Sequence, residues 1–204
     1  MIHGSSWNKL WIIGLSRTGT MSLTKTINRH SRFAIEHYPA LWKLESTYYE
    51  GNGAADIVVS AMFEKLDKKY PGSKFILTLR DKESWLKSTE KFITTKDRMK
   101  KEWLKKNNAR PNYPSQAQIF TRNKLYGSVD FDAEIWSKGF DTYHERVRDH
   151  FKYRKDDLLE IDFISGDSKP KEVWKFLDIQ DRIAPSEFVH ANEFGAQLEK
   201  WKRQ

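Results

Sequence analysis

The sequence predicts a three-layer α/β domain, with a central parallel sheet of four to five strands flanked by helices. Short apolar runs of strand length alternate along the chain with longer segments of helical period. The first run opens directly into a glycine-containing loop and a helix, the usual start of such a domain. The length of 204 residues suits a single domain, 1–204, and no internal repeat or low-complexity linker divides it.

Leu10-Trp11-Ile12-Ile13-Gly14 is a buried-strand pattern, and a helical pattern follows through Asn28 with Leu23 and Ile27 four apart. Arg32 to His37 alternates and stops before Pro39, which predicts a second strand. Ala55 to Lys69 reads as a helix whose apolar stripe is Val58, Val59, Met62, Phe63 and Leu66, stopped by Tyr70-Pro71-Gly72. Lys74 to Arg80 is the clearest strand. The helix after it turns Trp85, Leu86, Thr89, Phe92 and Ile93 inward. Asp132 to Phe151 is a long helix, Leu158 to Phe163 a fourth strand, and Pro170 to Leu177 a short helix with Pro in its first turn. Asn107 to Ser128 has weak periodicity and carries Pro111 and Pro114, so it reads as a long surface excursion. Segment 96–128 is the expected acceptor side of the domain.

Composition narrows the function. Apolar residues make up 38% and aromatics 14%, which is globular rather than disordered. No run approaches the ~20 apolar residues of a membrane helix. Met1 to Leu10 lacks a signal peptide's apolar stretch, so the expectation is a soluble, cytoplasmic protein. Cysteine is absent, which removes thiol nucleophiles and zinc–thiolate sites. The six His, at 3, 30, 37, 144, 150 and 190, form no metal-ligand spacing, so no metal is expected. A net charge of +8 fits either a polyanionic partner or a basic, well-solvated surface. The basic stretch Lys96 to Lys106 admits both readings: an acceptor-side lid that attracts anions, or a solvated helix face. A nucleic-acid-binding module is the non-enzyme alternative. Against it, acids are interspersed among the bases and no nucleic-acid motif appears.

The loop Gly14 to Ser22 lies where a parallel sheet binds ligands, beyond the carboxyl end of its first strand. Backbone amides and the start of the next helix can nest a phosphate there. Thr18, Thr20 and Ser22 offer hydroxyls, and Arg17 a fixed charge. Gly14 and Gly19 match the G-x-x-x-x-G frame of a nucleotide-binding P-loop. However, Thr20 stands where that loop needs Lys, and Met21 where it needs a metal-binding hydroxyl. This weakens the reading as a magnesium-dependent kinase or hydrolase, in which Asp81 after the third strand would hold the metal. Arg80 ends that strand and Ser88 follows two turns along the next helix, so both can reach one phosphate.

Ser16-Arg17-Thr18-Gly19-Thr20 resembles the 5′-phosphosulfate loop of the sulfotransferases that use 3′-phosphoadenosine 5′-phosphosulfate (PAPS), a P-loop-like family. The G-L-x-R-T-G-T-x-S-L form resembles a branch with Arg in place of the cytosolic enzymes' Lys. The stretch Phe75 to Ser88 resembles the family's 3′-phosphate motif, with its Arg and Ser eight apart. Tyr143 to Arg148, Asp157 to Asp162, Lys175 to Leu177 and Phe188 to Asn192 follow the same branch's order of landmarks, so the resemblance covers most of the chain.

The resemblance implies sulfuryl transfer from PAPS, without metal, to a hydroxyl or amine acceptor, such as an anionic compound or a glycan. Adenosine 3′,5′-bisphosphate is left as the product. Ser16, Arg17, Thr18, Gly19, Thr20, Met21 and Ser22 would then hold the phosphosulfate, and Arg80 with Ser88 the 3′-phosphate. In the cytosolic enzymes a Trp closes the loop and stacks on adenine; Ser22 stands there, so the adenine platform stays open. Arg17 is the candidate stabiliser of developing charge. For the general base the branch points to Asp56, whose other reading is a helix-start acid. His37, at the end of the second strand, is the second candidate, with a structural histidine as its alternative.

Overall fold

A computed structural model of the chain describes residues 7–106, 115–164, 166, 168–180 and 182–191, without the side chains of 96–101, 103 and 104. In chain order the elements are β1 (Leu10–Ile12), α1 (Thr20–His30), β2 (Ile35–His37), α2 (Leu41–Glu45), β3 (Gly53–Ala55), α3 (Ile57–Lys69), β4 (Lys74–Thr78), α4 (Lys82–Lys106), α5 (Gln116–Tyr126), α6 (Ala133–Phe151), β5 (Leu158–Ile161) and α7 (Pro170–Phe176). The five strands form one parallel sheet in the order β2-β3-β1-β4-β5. None of the described helices is long and apolar enough to cross a membrane.

The central strands β1 and β4 are buried on both faces, which is why they read as unbroken apolar runs, whereas the edge strands β2 and β5 are only partly buried. Successive residues still point to opposite sides. Trp11, Phe75 and Leu77 pack on one face against α3, α4, α5 and α6. Leu10, Ile12 and Ile76 pack on the other against α1 and α7. The first layer is rich in aromatics: Trp85, Tyr126, Trp136 and Phe140 form one cluster. Burying each such side chain stabilises the fold by about 1.5–3 kcal/mol.

Two expectations are corrected. Ala55 does not open the second long helix. Gly53–Ala55 is a strand between β1 and β2, and the helix starts at Ile57 with Asp56 as its cap. A Cβ on Gly53 would lie 1.8 Å from the Leu10 carbonyl oxygen, so only glycine lets β3 pack here. The second correction concerns the excursion. Within the span read as Asn107 to Ser128, residues 116–126 form α5, opened by a Ser115–Gln118 capping box and closed by Gly127 in the left-handed region. Residues 107–114 lie outside the described ones. The basic stretch is the last part of α4, where Glu102, Lys105 and Lys106 are exposed and the other side chains are not described.

Candidate active site

The carboxyl ends of β1, β2, β3 and β4 open onto a cleft of about 380 Å³, also walled by α4, α5 and α6. Its floor is the β1–α1 loop, and that loop is pinned from several sides. Gly14 lies so close to β4 that a Cβ would sit 1.7 Å from Thr78 Oγ1. The Ser60 hydroxyl of α3 donates to Gly14 O at 2.8 Å, and Trp85 Nε1–H of α4 donates to Ser16 O at 2.8 Å. Thr18 faces inward: its hydroxyl donates to Leu15 O and meets Thr78 Oγ1, both at 2.6 Å. Thr18 therefore braces the loop, and its hydroxyl does not face the cleft.

Gly19, at φ 96°, turns the chain into α1, whose N-terminus has no side-chain cap and no acid in its first turn. The first amides of α1 and its positive dipole end are thus left to the cleft, beside Thr20, Met21 and Ser22. Ser22 Oγ also accepts from Ala191 N at 3.2 Å, which ties the C-terminal segment to the loop.

Two arginines meet over this loop. Arg17, left-handed at φ 71°, directs Nε to Ser88 Oγ at 3.3 Å and sets its guanidinium 5.2 Å from the Phe92 ring centre. Arg80 donates from Nη1 to Arg17 O at 3.0 Å, and from Nε and Nη2 to Ser84 Oγ at 3.0 and 2.9 Å. Ser88 thus bonds Arg17, while Ser84, which the sequence reading missed, bonds Arg80. Burial, then the neighbouring Arg80 charge, lowers the Arg17 pKa, and Asp56 offsets part of this. Burial also lowers that of Arg80, against the opposing pull of Asp162 and Asp81. Two partly buried cations side by side concentrate positive charge at this end of the cleft. Asp81 caps α4 by accepting from Ser84 N at 2.8 Å, a structural task for the residue weighed as a metal ligand.

The two base candidates are neighbours. Asp56 Oδ1 accepts from Ile57 N at 2.7 Å, and Oδ2 lies 3.5 Å from His37 Nε2. The same Nε2 is 3.2 Å from Thr20 Oγ1, so carboxylate, imidazole and the start of α1 form one chain of contacts. Asp56 has φ 87° and ψ 179°, a region nearly exclusive to glycine that costs about 1–3 kcal/mol. Arg17 and Tyr38 also have positive φ and line the same cleft. Strain of this kind persists where the surrounding packing enforces it.

The remaining cleft residues were not among the expected site residues, although three of them lie in the segment 96–128 expected on the acceptor side. Gln118, Arg122 and Tyr126, spaced four apart on α5, present one face to it, joined by Phe92 and Ile93 of α4 and Trp136 of α6. The capping box at Ser115 and the glycine at 127 were the sequence signals for this helix. Among the described residues, no group of three or more His, Asp or Glu side chains could hold a metal ion.

A family model described as a sulfotransferase domain matches residues 9–195, from just before β1 to past the last described segment. Comparison with curated proteins gives no significant match. The match runs through all five strands and every wall of the cleft, and on that evidence the chain belongs to the sulfotransferase family.

Proposed function

We propose that this sulfotransferase uses PAPS as its donor and a hydroxyl compound as its acceptor, with both meeting in the cleft at the carboxyl edge of the sheet. One observation carries the reading. Arg17 and Arg80 crowd against the acid-free start of α1, and Thr20 joins that start to the His37–Asp56 pair.

The residues present fit such a donor. Two cations held together at a desolvation cost, an uncapped helix start and several hydroxyls make a donor set for phosphate and sulfate oxygens. Arg17, the first amides of α1 and the hydroxyls of Ser16, Thr20 and Ser22 would take the phosphosulfate end. Arg80 and Ser88, with Ser84, would take the 3′-phosphate. When bound, PAPS supplies the sulfuryl group and a good phosphate leaving group.

Each protein group then has a task. Arg17 keeps its charge through the reaction and stabilises the negative charge that builds on the transferred group and the leaving oxygen. Asp56 takes the acceptor's hydroxyl proton on Oδ2, while Ile57 N–H fixes Oδ1. His37 acts as a positioning residue: with the proton on Nε2, it donates toward Asp56 Oδ2 and holds the carboxylate facing the cleft. Thr78 and Thr18 hold the loop in place.

The direct test is transfer of labelled sulfuryl from PAPS across a panel of sugar, lipid, small alcohol, phenol and peptide acceptors, in buffer containing EDTA. Metal-independent transfer to a hydroxyl acceptor, reduced at least about 100-fold by Arg17→Ala, is the predicted result. Transfer undiminished in the Arg17→Ala protein would remove Arg17 from the chemistry.

A further inference from the structure

Resting on that reading, we propose that the acceptor is a hydroxyl compound with a flat apolar body and a carboxylate, and that Arg122 binds the carboxylate. The cleft has two chemically distinct kinds of lining. The donor end carries Arg17, Arg80 and the start of α1. Aromatic rings also line it, Tyr38, Phe92, Tyr126 and Trp136, together with Ile57 and Ile93. Aromatic walls of this kind bury a planar apolar body far better than a sugar with many hydroxyls.

Arg122 is the cation beside these rings. It stands one helical turn before Tyr126 on α5, half-buried, with its guanidinium 5.9 Å from the Trp136 ring centre. One hydrogen bond, from Nη1 to Val129 O at 2.9 Å, orients the group. Among the described residues no carboxylate is paired with it, whereas two neighbouring half-buried basic side chains, Lys124 of α5 and Arg146 of α6, have an acid partner. The remaining N–H groups of a planar guanidinium match a carboxylate in a bidentate fork. Charge on the walls agrees. The Tyr38 and Tyr126 phenols are both pushed up, by burial first and then by Asp56, while Arg122 pulls each the other way. Asp56 and Arg122 therefore both act on the same two phenols. An acceptor anchored at Arg122, its body on the aromatic walls, can present its hydroxyl toward Asp56. There the acceptor oxygen bonds to sulfur, its proton passes to Asp56, and the bond from sulfur to the 5′-phosphate oxygen breaks, releasing adenosine 3′,5′-bisphosphate.

The experiment compares 4-hydroxyphenylacetate with 4-ethylphenol, which has the same ring and hydroxyl but no charge. Transfer from PAPS is measured alongside calorimetric binding of each probe to the protein–bisphosphate complex. The wild type is expected to favour the carboxylate by about 10-fold to 100-fold in kcat/KM and in binding. Arg122→Gln should remove that preference by raising KM for 4-hydroxyphenylacetate about 10-fold or more beyond any change for 4-ethylphenol, and Arg122→Lys should restore part of it. Equal use of both probes by the wild type overturns the proposal, as does a preference that survives Arg122→Gln. Bisphosphate binding with no transfer to either probe also overturns the acceptor class while leaving the donor reading intact. If the bisphosphate does not bind, the donor reading itself fails. Should Arg122→Gln fail to fold, the wild-type preference and the Arg122→Lys protein decide the matter.

Discussion

Replacing Asp56 by glycine should make the protein more stable while disabling it. At φ 87° and ψ 179° the native aspartate holds a backbone that costs about 1–3 kcal/mol, and glycine adopts it freely. Against that gain stand about 0.4–1 kcal/mol for the freer unfolded chain and a few tenths for the weaker helix cap. The 3.5 Å contact with His37 adds little. The balance is a gain of about 0–2 kcal/mol, or roughly 0–8 °C in Tm for a chain of this size. Alanine is the control, because it keeps the strain and loses the cap, at a cost of about 0.5–2 kcal/mol. Glycine should therefore exceed alanine by at least about 0.5 kcal/mol in urea unfolding. In the transfer assay both should lose about 100-fold to 10,000-fold, as expected for a missing general base. Asparagine, which can still cap α3, should fold like the wild type and be as inactive as the others. A glycine variant no more stable than the alanine one would refute the strain argument, and full activity in the asparagine variant would remove Asp56 from the chemistry.

The other predictions concern the frame and the donor end. Gly14→Ala forces a methyl to within 1.7 Å of Thr78 Oγ1 and should destabilise by about 1–3 kcal/mol, seen as a lowered midpoint in thermal unfolding. Away from the cleft, Asp67 accepts from Arg154 and His150, which ties α3 to the end of α6. Burial pushes its carboxyl up, but those hydrogen bonds outweigh burial and hold it below the ordinary 3.8. Its contribution is therefore complete above about pH 5 and is lost as pH falls through the lowered folded value. Asp67→Asn should cost about 1–2 kcal/mol at pH 7, and in urea unfolding the difference should vanish in acid. At the donor end, Arg80→Ala should weaken bisphosphate binding without removing transfer at saturating donor. Ser84→Ala, which frees two N–H groups of Arg80, should act in the same direction but more weakly when measured by calorimetry.

Much of the domain was legible from the first ninety residues. The run Leu10 to Ile13, Gly14 and Gly19 fix a strand, a loop that needs glycine at both of those positions, and a helix start, all local features. What was missed depends on contacts distant in sequence. Gly53-Ala54-Ala55 has none of the branched or aromatic side chains that mark a strand, and it is one because it fills the space between β1 and β2. Asp56 and His37 read as rival bases because nothing in the sequence shows that β2 lies beside β3. That pairing brings them to 3.5 Å. Likewise, Arg80 and Ser88 have the spacing to share one phosphate, yet in the folded chain Ser88 bonds Arg17 and Ser84 bonds Arg80. The cleft wall on α5 lay beyond two prolines in a stretch of weak periodicity. Its cleft-facing side mixes Gln118, Arg122 and Tyr126, so no apolar stripe announced it.

The central claim is that Arg17, Arg80 and the start of α1 form a metal-independent site for the PAPS nucleotide. Calorimetry with adenosine 3′,5′-bisphosphate in EDTA, paired with thermal unfolding, tests it most directly. Saturable binding is predicted, with stabilisation of about 2.7 kcal/mol at a hundredfold excess over Kd, and with affinity lowered in both Arg17→Ala and Arg80→Ala. Stabilisation by ATP with magnesium, and none by the bisphosphate, would contradict the account.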